Sequence, residues 1–136
     1  MTSWDKGQEA IDGLQSALLE SIRIGAGNWR FHFSHAELTM WGALSVTSDG
    51  QTYAPLHPLF YPKLLGLLGC ELSSLELRME GAALDFGNDA VINPVDEDGV
   101  LVTLKVDAES TAHIWSRQTG NLVHSTGERE PFDAAY

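Results

Sequence analysis

The chain has 136 residues, 43% of them hydrophobic, one cysteine and a formal net charge of −11. That is enough chain for one packed domain and too little for two stable cores, and the apolar content excludes global disorder. The charge argues against nucleic acid as a ligand, because phosphate is held by basic patches and Lys and Arg together number 8.

The lone Cys70 cannot close an intramolecular disulfide, and the opening "MTSWDKGQEAIDG" has neither the basic nor the apolar region of a signal peptide. A cytoplasmic setting is therefore expected. The apolar runs are too short to cross a bilayer.

In chain order, Trp4, Ile11, Leu14 and Leu18 recur at helical spacing behind a Thr2 or Ser3 cap, which predicts a short amphipathic helix over about residues 4–14, weakened by Gly7 and Gly13. Then "LESIRI" and "WRFHF" alternate with period two about the turn "GAGN", a β-hairpin with Ile22, Ile24, Trp29, Phe31 and Phe33 facing inward. "ELTMW" and "ALSVT" are further strands before the "SDGQ" turn. Three prolines in "YAPLHPLFYPK" forbid regular structure throughout, which makes residues 53–63 a connector. Pro62 suits the first turn of a second helix, "PKLLGLLG", with Gly69 as its cap.

The second half repeats the pattern of the first. "LELRMEGAALDF" from Leu75 matches "IRIGAGNWRFHF" from Ile22 at an offset of 53 residues, and the same offset pairs Ile11 with Leu64, Leu14 with Leu67, and Leu19 with Leu72. "AVINP" follows as a strand, and the loop "NPVDEDG" leads to "VLVTLKVD", where Val100, Val102, Leu104 and Val106 share a face. "TAHIWS" and "NLVHS" form a closing hairpin with Gly120 in its turn, and "TGEREPFDAAY" is a polar tail. The reading is an α+β fold in a single domain, 1–136: two helix-plus-meander halves over about 4–52 and 58–107, a closing hairpin over about 111–125, and a flexible tail over about 126–136. Together they build one largely antiparallel sheet of about seven or eight strands with two short helices.

Little in the chain looks catalytic. His32 and His35 with Glu37 lie close in sequence, but on different faces of a strand and corner they set no metal geometry. His57, His113 and His124 are candidate bases without a nucleophile signature such as G-x-S-x-G, and Cys70 reads as a small core residue. "GAGN" joins two strands and lacks the lysine of a phosphate loop. No enzyme activity, catalytic residue, metal or cofactor is expected.

Charge is the stronger lead. Residues 1–70 carry six acids and four bases, and residues 71–136 carry thirteen acids and four bases, so the net charge divides as −2 and −9. Asp85, Asp89, Asp96, Glu97 and Asp98 fall in a stretch without a basic residue and are expected to gather at one edge of the sheet, with Trp41 or Trp115 as an exposed anchor. A solvated surface and a divalent-cation site are the competing explanations, although "DEDG" lacks the spaced ligands of an EF-hand.

The order of helix, strand, aromatic-ended hairpin and corner, repeated and closed by "IWSRQTGNLVHSTG", resembles a family of small bacterial proteins of duplicated-meander type over about residues 11–127. In that family an aromatic-plus-Trp strand and a Gly-containing hairpin close the chain; "HIW" and "RQTGN" occupy those places. Such proteins are similar to immunity proteins of bacterial toxin systems, of contact-dependent inhibition or secreted-effector type. The resemblance implies a stoichiometric complex with a basic toxin domain, often a nuclease; the charge and the short apolar runs point away from nucleic-acid and membrane partners. The rival readings are a small ligand-binding domain or enzyme with a pocket holding His32, His57 or His113, and a homo-oligomeric module burying Trp41 or Trp115.

Overall fold

A computed structural model describes residues 3–25, 27–78, 81–87, 90–95, 101–109, 111–118 and 121–127. The first half runs as helix α1 (Ser3–Asp12) and strands β1 (Leu19–Ile24), β2 (Asn28–Phe33), β3 (Ala36–Trp41), β4 (Leu44–Ser48) and β5 (Gln51–Tyr53). The second runs as α2 (Phe60–Leu65), β6 (Ser74–Arg78), β7 (Gly81–Asp85), β8 (Ala90–Pro94), β9 (Leu101–Val106), β10 (Ala112–Gln118) and β11 (Asn121–Gly127). Period-two alternation located nearly every strand. The second helix carries Pro62 in its first turn as expected, but its cap is Gly66; Gly69, at φ 85°, belongs to the turn beyond.

The strands form two antiparallel sheets, not one. Sheet 1 has the order β1-β2-β3-β9-β10-β11 and sheet 2 the order β5-β4-β8-β7-β6. Each half builds its own three-stranded meander and then sends its next strand to the other sheet. β4 pairs with β8, with Val46 opposite Ile92, and β9 pairs with β3, with Leu104 opposite Leu38. The expectation of one sheet of seven or eight strands is corrected to eleven strands in two sheets among the described residues. The physical reason is that both meanders carry an apolar face, and two such faces are covered when they share a core. Phe31, Phe33, Leu38 and Leu104 from sheet 1 join Val46, Leu84, Phe86 and Ile92 from sheet 2 in one buried cluster, together with Leu14 near α1 and Phe60 and Leu64 of α2. Trp29 meets Phe60 edge to face at 5.8 Å, tying sheet 1 to the second helix.

The 53-residue repeat of the sequence is also a repeat of hydrogen bonds. Ser16 N donates to Leu72 O at 2.7 Å and Gly69 N to Leu19 O at 2.7 Å; the donors are 53 apart and so are the acceptors. Leu72 N to Ala17 O, 2.8 Å, and Leu19 N to Cys70 O, 3.0 Å, are a second such pair. Leu18 bridges Glu71, its own equivalent, so an internal pseudo-twofold axis passes there. The halves differ after the third strand. Met40 and Asn93 are equivalent, and they stand opposite Val102 and Ser45, which are 57 apart, so the chain is four residues longer between β8 and β9.

Ile24, expected inside, is 47% exposed at the end of β1, the edge strand of sheet 1. β11 runs through Gly127, so Thr126 and Gly127 belong to the closing hairpin and not to the tail. Residues 128–136 lie outside the described residues.

Candidate functional site

Of the residues singled out for charge, Asp85 is the one the structure describes. It ends β7 with its side chain exposed while Leu84 and Phe86 on either side are buried, as alternation requires, and its Oδ1 accepts the Gly87 N–H at 2.8 Å. Asp89, Asp96, Glu97 and Asp98 lie outside the described residues. Asp85 stands opposite Val91 at the start of β8, whereas Val95 follows the far end of that strand. Four steps of extended chain separate Val91 and Val95, roughly 14 Å.

The two tryptophans part company. Trp41 is half-buried at the end of β3, opposite Asn28. Trp115 is 1% exposed and belongs to the core, which corrects its reading as a surface anchor. The register explains why: Trp115 stands opposite Val102, and Val102 opposite Met40, on the face that sheet 1 turns inward.

Four of the cations are engaged inside the protein. Arg30 meets Glu37 at 3.1 Å, Lys63 meets Asp49 at 3.7 Å and Arg78 meets Glu76 at 3.5 Å. Lys105 donates to the backbone oxygens of Val106, at 2.8 Å, and of Glu109. His32, half-exposed on the outer face of β2, lies 3.7 Å from Glu20 and 3.8 Å from Glu37. His57 packs on Tyr53 and accepts the Leu59 N–H through Nδ1 at 3.0 Å.

The most elaborate polar arrangement lies beneath α1. His113 is 3% and His124 7% exposed, and their rings stack with centroids 5.3 Å apart, His113 Nδ1 lying 3.1 Å from His124 Nε2. His113 Nε2 lies 3.1 Å from Glu109 Oε2. With Glu109 ionised and His113 neutral, the proton sits on His113 Nε2 and His113 Nδ1 accepts from His124 Nε2. The turn that carries Glu109 is held by Glu109 N to Val106 O, 2.9 Å, and by Asp107 N to His35 O, 2.8 Å. Burial first, and then the neighbouring His113, hold the His124 imidazole below its ordinary value, so the charged form is disfavoured. A Cβ at Gly7 would come within 2.9 Å of His124 Nε2 and 3.0 Å of Trp115 Cζ2. Gly7, which sequence reading treats as a weakness of the helix, is what lets α1 lie on the histidine pair.

A cleft of about 830 Å³ opens beside this chain, between α1 and the ends of sheet 1, with Lys6, Glu9, His35, Glu109, His113 and Thr126 in its wall. Both ring nitrogens of His113 are engaged inside the protein, so the arrangement orients Glu109, whose exposed side chain lies in the wall of the cleft. Among the described residues no three His, Cys, Asp or Glu side chains are placed to hold a metal ion.

Sequence reading missed the His113–His124 pair, although the antiparallel pairing of Gln118 with Asn121 sets Trp115 opposite His124 and puts His113 on the same face. Comparison with family models, curated proteins and solved structures finds none that matches this chain. No helix among the described residues is long and apolar enough to cross a membrane.

Proposed function

We propose that this chain is an immunity-type inhibitor, which captures a basic protein toxin domain on its acidic surface and holds it in a stoichiometric complex. The observation that carries the reading is the net charge of −11 combined with the pairing of Arg30, Lys63, Arg78 and Lys105 to groups of the protein itself. The surplus of carboxylates that remains, Asp85 among them, sets the field that an approaching protein meets. Such a field speeds encounter with a basic partner and repels nucleic acid, which suits an inhibitor that competes for a nuclease surface. Asp85, Asp89, Asp96, Glu97 and Asp98 remain the candidate contacts, with half-buried Trp41 as the remaining aromatic anchor. Trp115 is withdrawn.

The test is capture of partners by the tagged chain from cells that make it, at low and at high salt, followed by co-expression with whatever is retained. The expected result is a basic protein that arrests growth alone, is harmless when co-expressed, and is released as salt rises. Retention of no such protein, or toxicity undiminished by co-expression, would count against the reading. A ligand-binding domain is the second reading, favoured by the cleft beside Glu109 and His113. A small molecule that copurifies and whose binding is lost in Glu109→Gln would support it.

A further inference from the structure

The pseudo-twofold makes the molecule its own control, because through the third strand of each half a position has an equivalent that reports what the fold itself requires. On α1 and the turn after it the exposed residues Lys6, Gln8, Asp12 and Gln15 are polar. Their equivalents 53 residues on are Leu59, Tyr61, Leu65 and Leu68, exposed by 45%, 42%, 46% and 42%. Leu56, in the connector just before, is 99% exposed. The fold is satisfied by polar side chains at these places in the first half, so packing within the chain does not account for apolar ones in the second. Beneath them, Phe60 and Leu64 are fully buried and supply the helix with its core contacts.

Charge indicates what covers this surface. From Asp49 to Cys70 the chain has two residues of fixed charge, Asp49 and Lys63, and they pair with each other at 3.7 Å. The segment is thus neutral within a molecule of net charge −11. A basic partner finds no attraction here; its field lines end on the carboxylates elsewhere. A second copy can bring the same neutral surface up without setting like charges face to face, and Asp49 and Lys63 supply opposite signs that a twofold contact can exchange between copies. The five apolar residues expose on the order of 500 Å² in each copy, so mutual covering removes about 1,000 Å² from water, the lower bound of a specific interface.

We propose that the exposed side of α2, with the turns on either side of it, is a self-association surface on which a second copy of this chain docks about a twofold axis. The contact leaves α1, its cleft and Asp85 outside it, so the proposal stands apart from toxin capture, and salt separates the two. Two acidic molecules approach more readily when their repulsion is screened, so dimerisation strengthens with salt, whereas capture of a basic protein weakens.

Sedimentation velocity of the purified full chain across a concentration series, at about 50 mM and about 500 mM salt, reads this directly. The expected result is a reversible monomer–dimer equilibrium whose dissociation constant falls several-fold at the higher salt. Leu65→Gln with Leu68→Gln, which gives the second half polar residues like those of the first, should leave a monomer with an unchanged melting curve. Should that variant fold poorly, Leu56→Ser with Tyr61→Gln repeats the test at positions with less packing to lose, and should weaken the dimer at least tenfold. A chain that stays monomeric at every concentration and both salts overturns the proposal. So does a dimer that survives both variants, or one that salt dissociates.

Discussion

At Gly7 the first helix comes so close to sheet 1 that no side chain fits between them, and what it lies on is His124 and Trp115. The pair His113 and His124 can share one hydrogen bond only while one ring accepts, so a second positive charge there breaks the bond and adds repulsion at 3.1 Å. The sign of the pH effect follows from His124. Its imidazole is held below the ordinary value by burial, so the unfolded chain takes up the proton first, and stability is fully present above the unfolded value of about 6.5 and is lost as pH falls below it. Denaturation midpoints measured between about pH 7.5 and about pH 5.5 should therefore fall as the medium is acidified, and His124→Gln should flatten that slope. A slope unchanged in the variant would place the titrating group elsewhere. Of this network the sequence shows the two histidines and the hairpin that joins them. It does not show that α1 crosses above them, because that contact joins the first ten residues to the last strand and no local period encodes it.

Among the elements, the clearest comparison is between the two corners that follow the helices. Ser16 and Gly69 are equivalent positions, and both adopt left-handed backbone, at φ 69° and φ 85°. Serine carries steric strain there that glycine does not, and nothing lies within 4 Å of a Cβ built at Gly69, so the difference is purely one of backbone. Gly69→Ser should cost about 1 kcal/mol and Ser16→Gly should gain a few tenths to about 1 kcal/mol, read by urea denaturation. Equal effects of one sign at both sites would mean that the two corners are not equivalent. At this scale the sequence was generous: "LESIRI" and "AVINP" match β1 and β8 to the residue, because a half-buried strand must alternate. The exchange of β4 and β9 between sheets was not legible, since alternation gives a strand its faces and says nothing about its neighbours. The short β5 also escaped, being three residues long.

For the whole molecule, charge and topology pull on stability in different ways. A net charge of −11 on 136 residues repels itself in the compact state, and the repulsion is relieved by counterions. Raising salt from about 20 mM to about 150 mM should raise the melting temperature by a few degrees, measured by circular dichroism at a concentration where the chain is monomeric. A fall would mean that internal pairs such as Arg30–Glu37 outweigh the repulsion. Composition alone gave this expectation. The position of the surface charges came only with the fold, and the apolar side of α2 became noticeable only against its polar equivalent in the first half.

The crossing of β4 and β9 gives the connector around Leu56 an unusual status. Each sheet combines strands of both halves, β9, β10 and β11 joining the first meander and β4 and β5 the second, so neither half holds a whole sheet. Cut at Leu56, which is 99% exposed and lies between β5 and α2, the polypeptide becomes two pieces that are each incomplete and mutually required, like a domain-swapped dimer from which the symmetry has been erased. The protein is in that sense two interlocked molecules written as one chain, and its halves could be made separately and reunited as a split reporter.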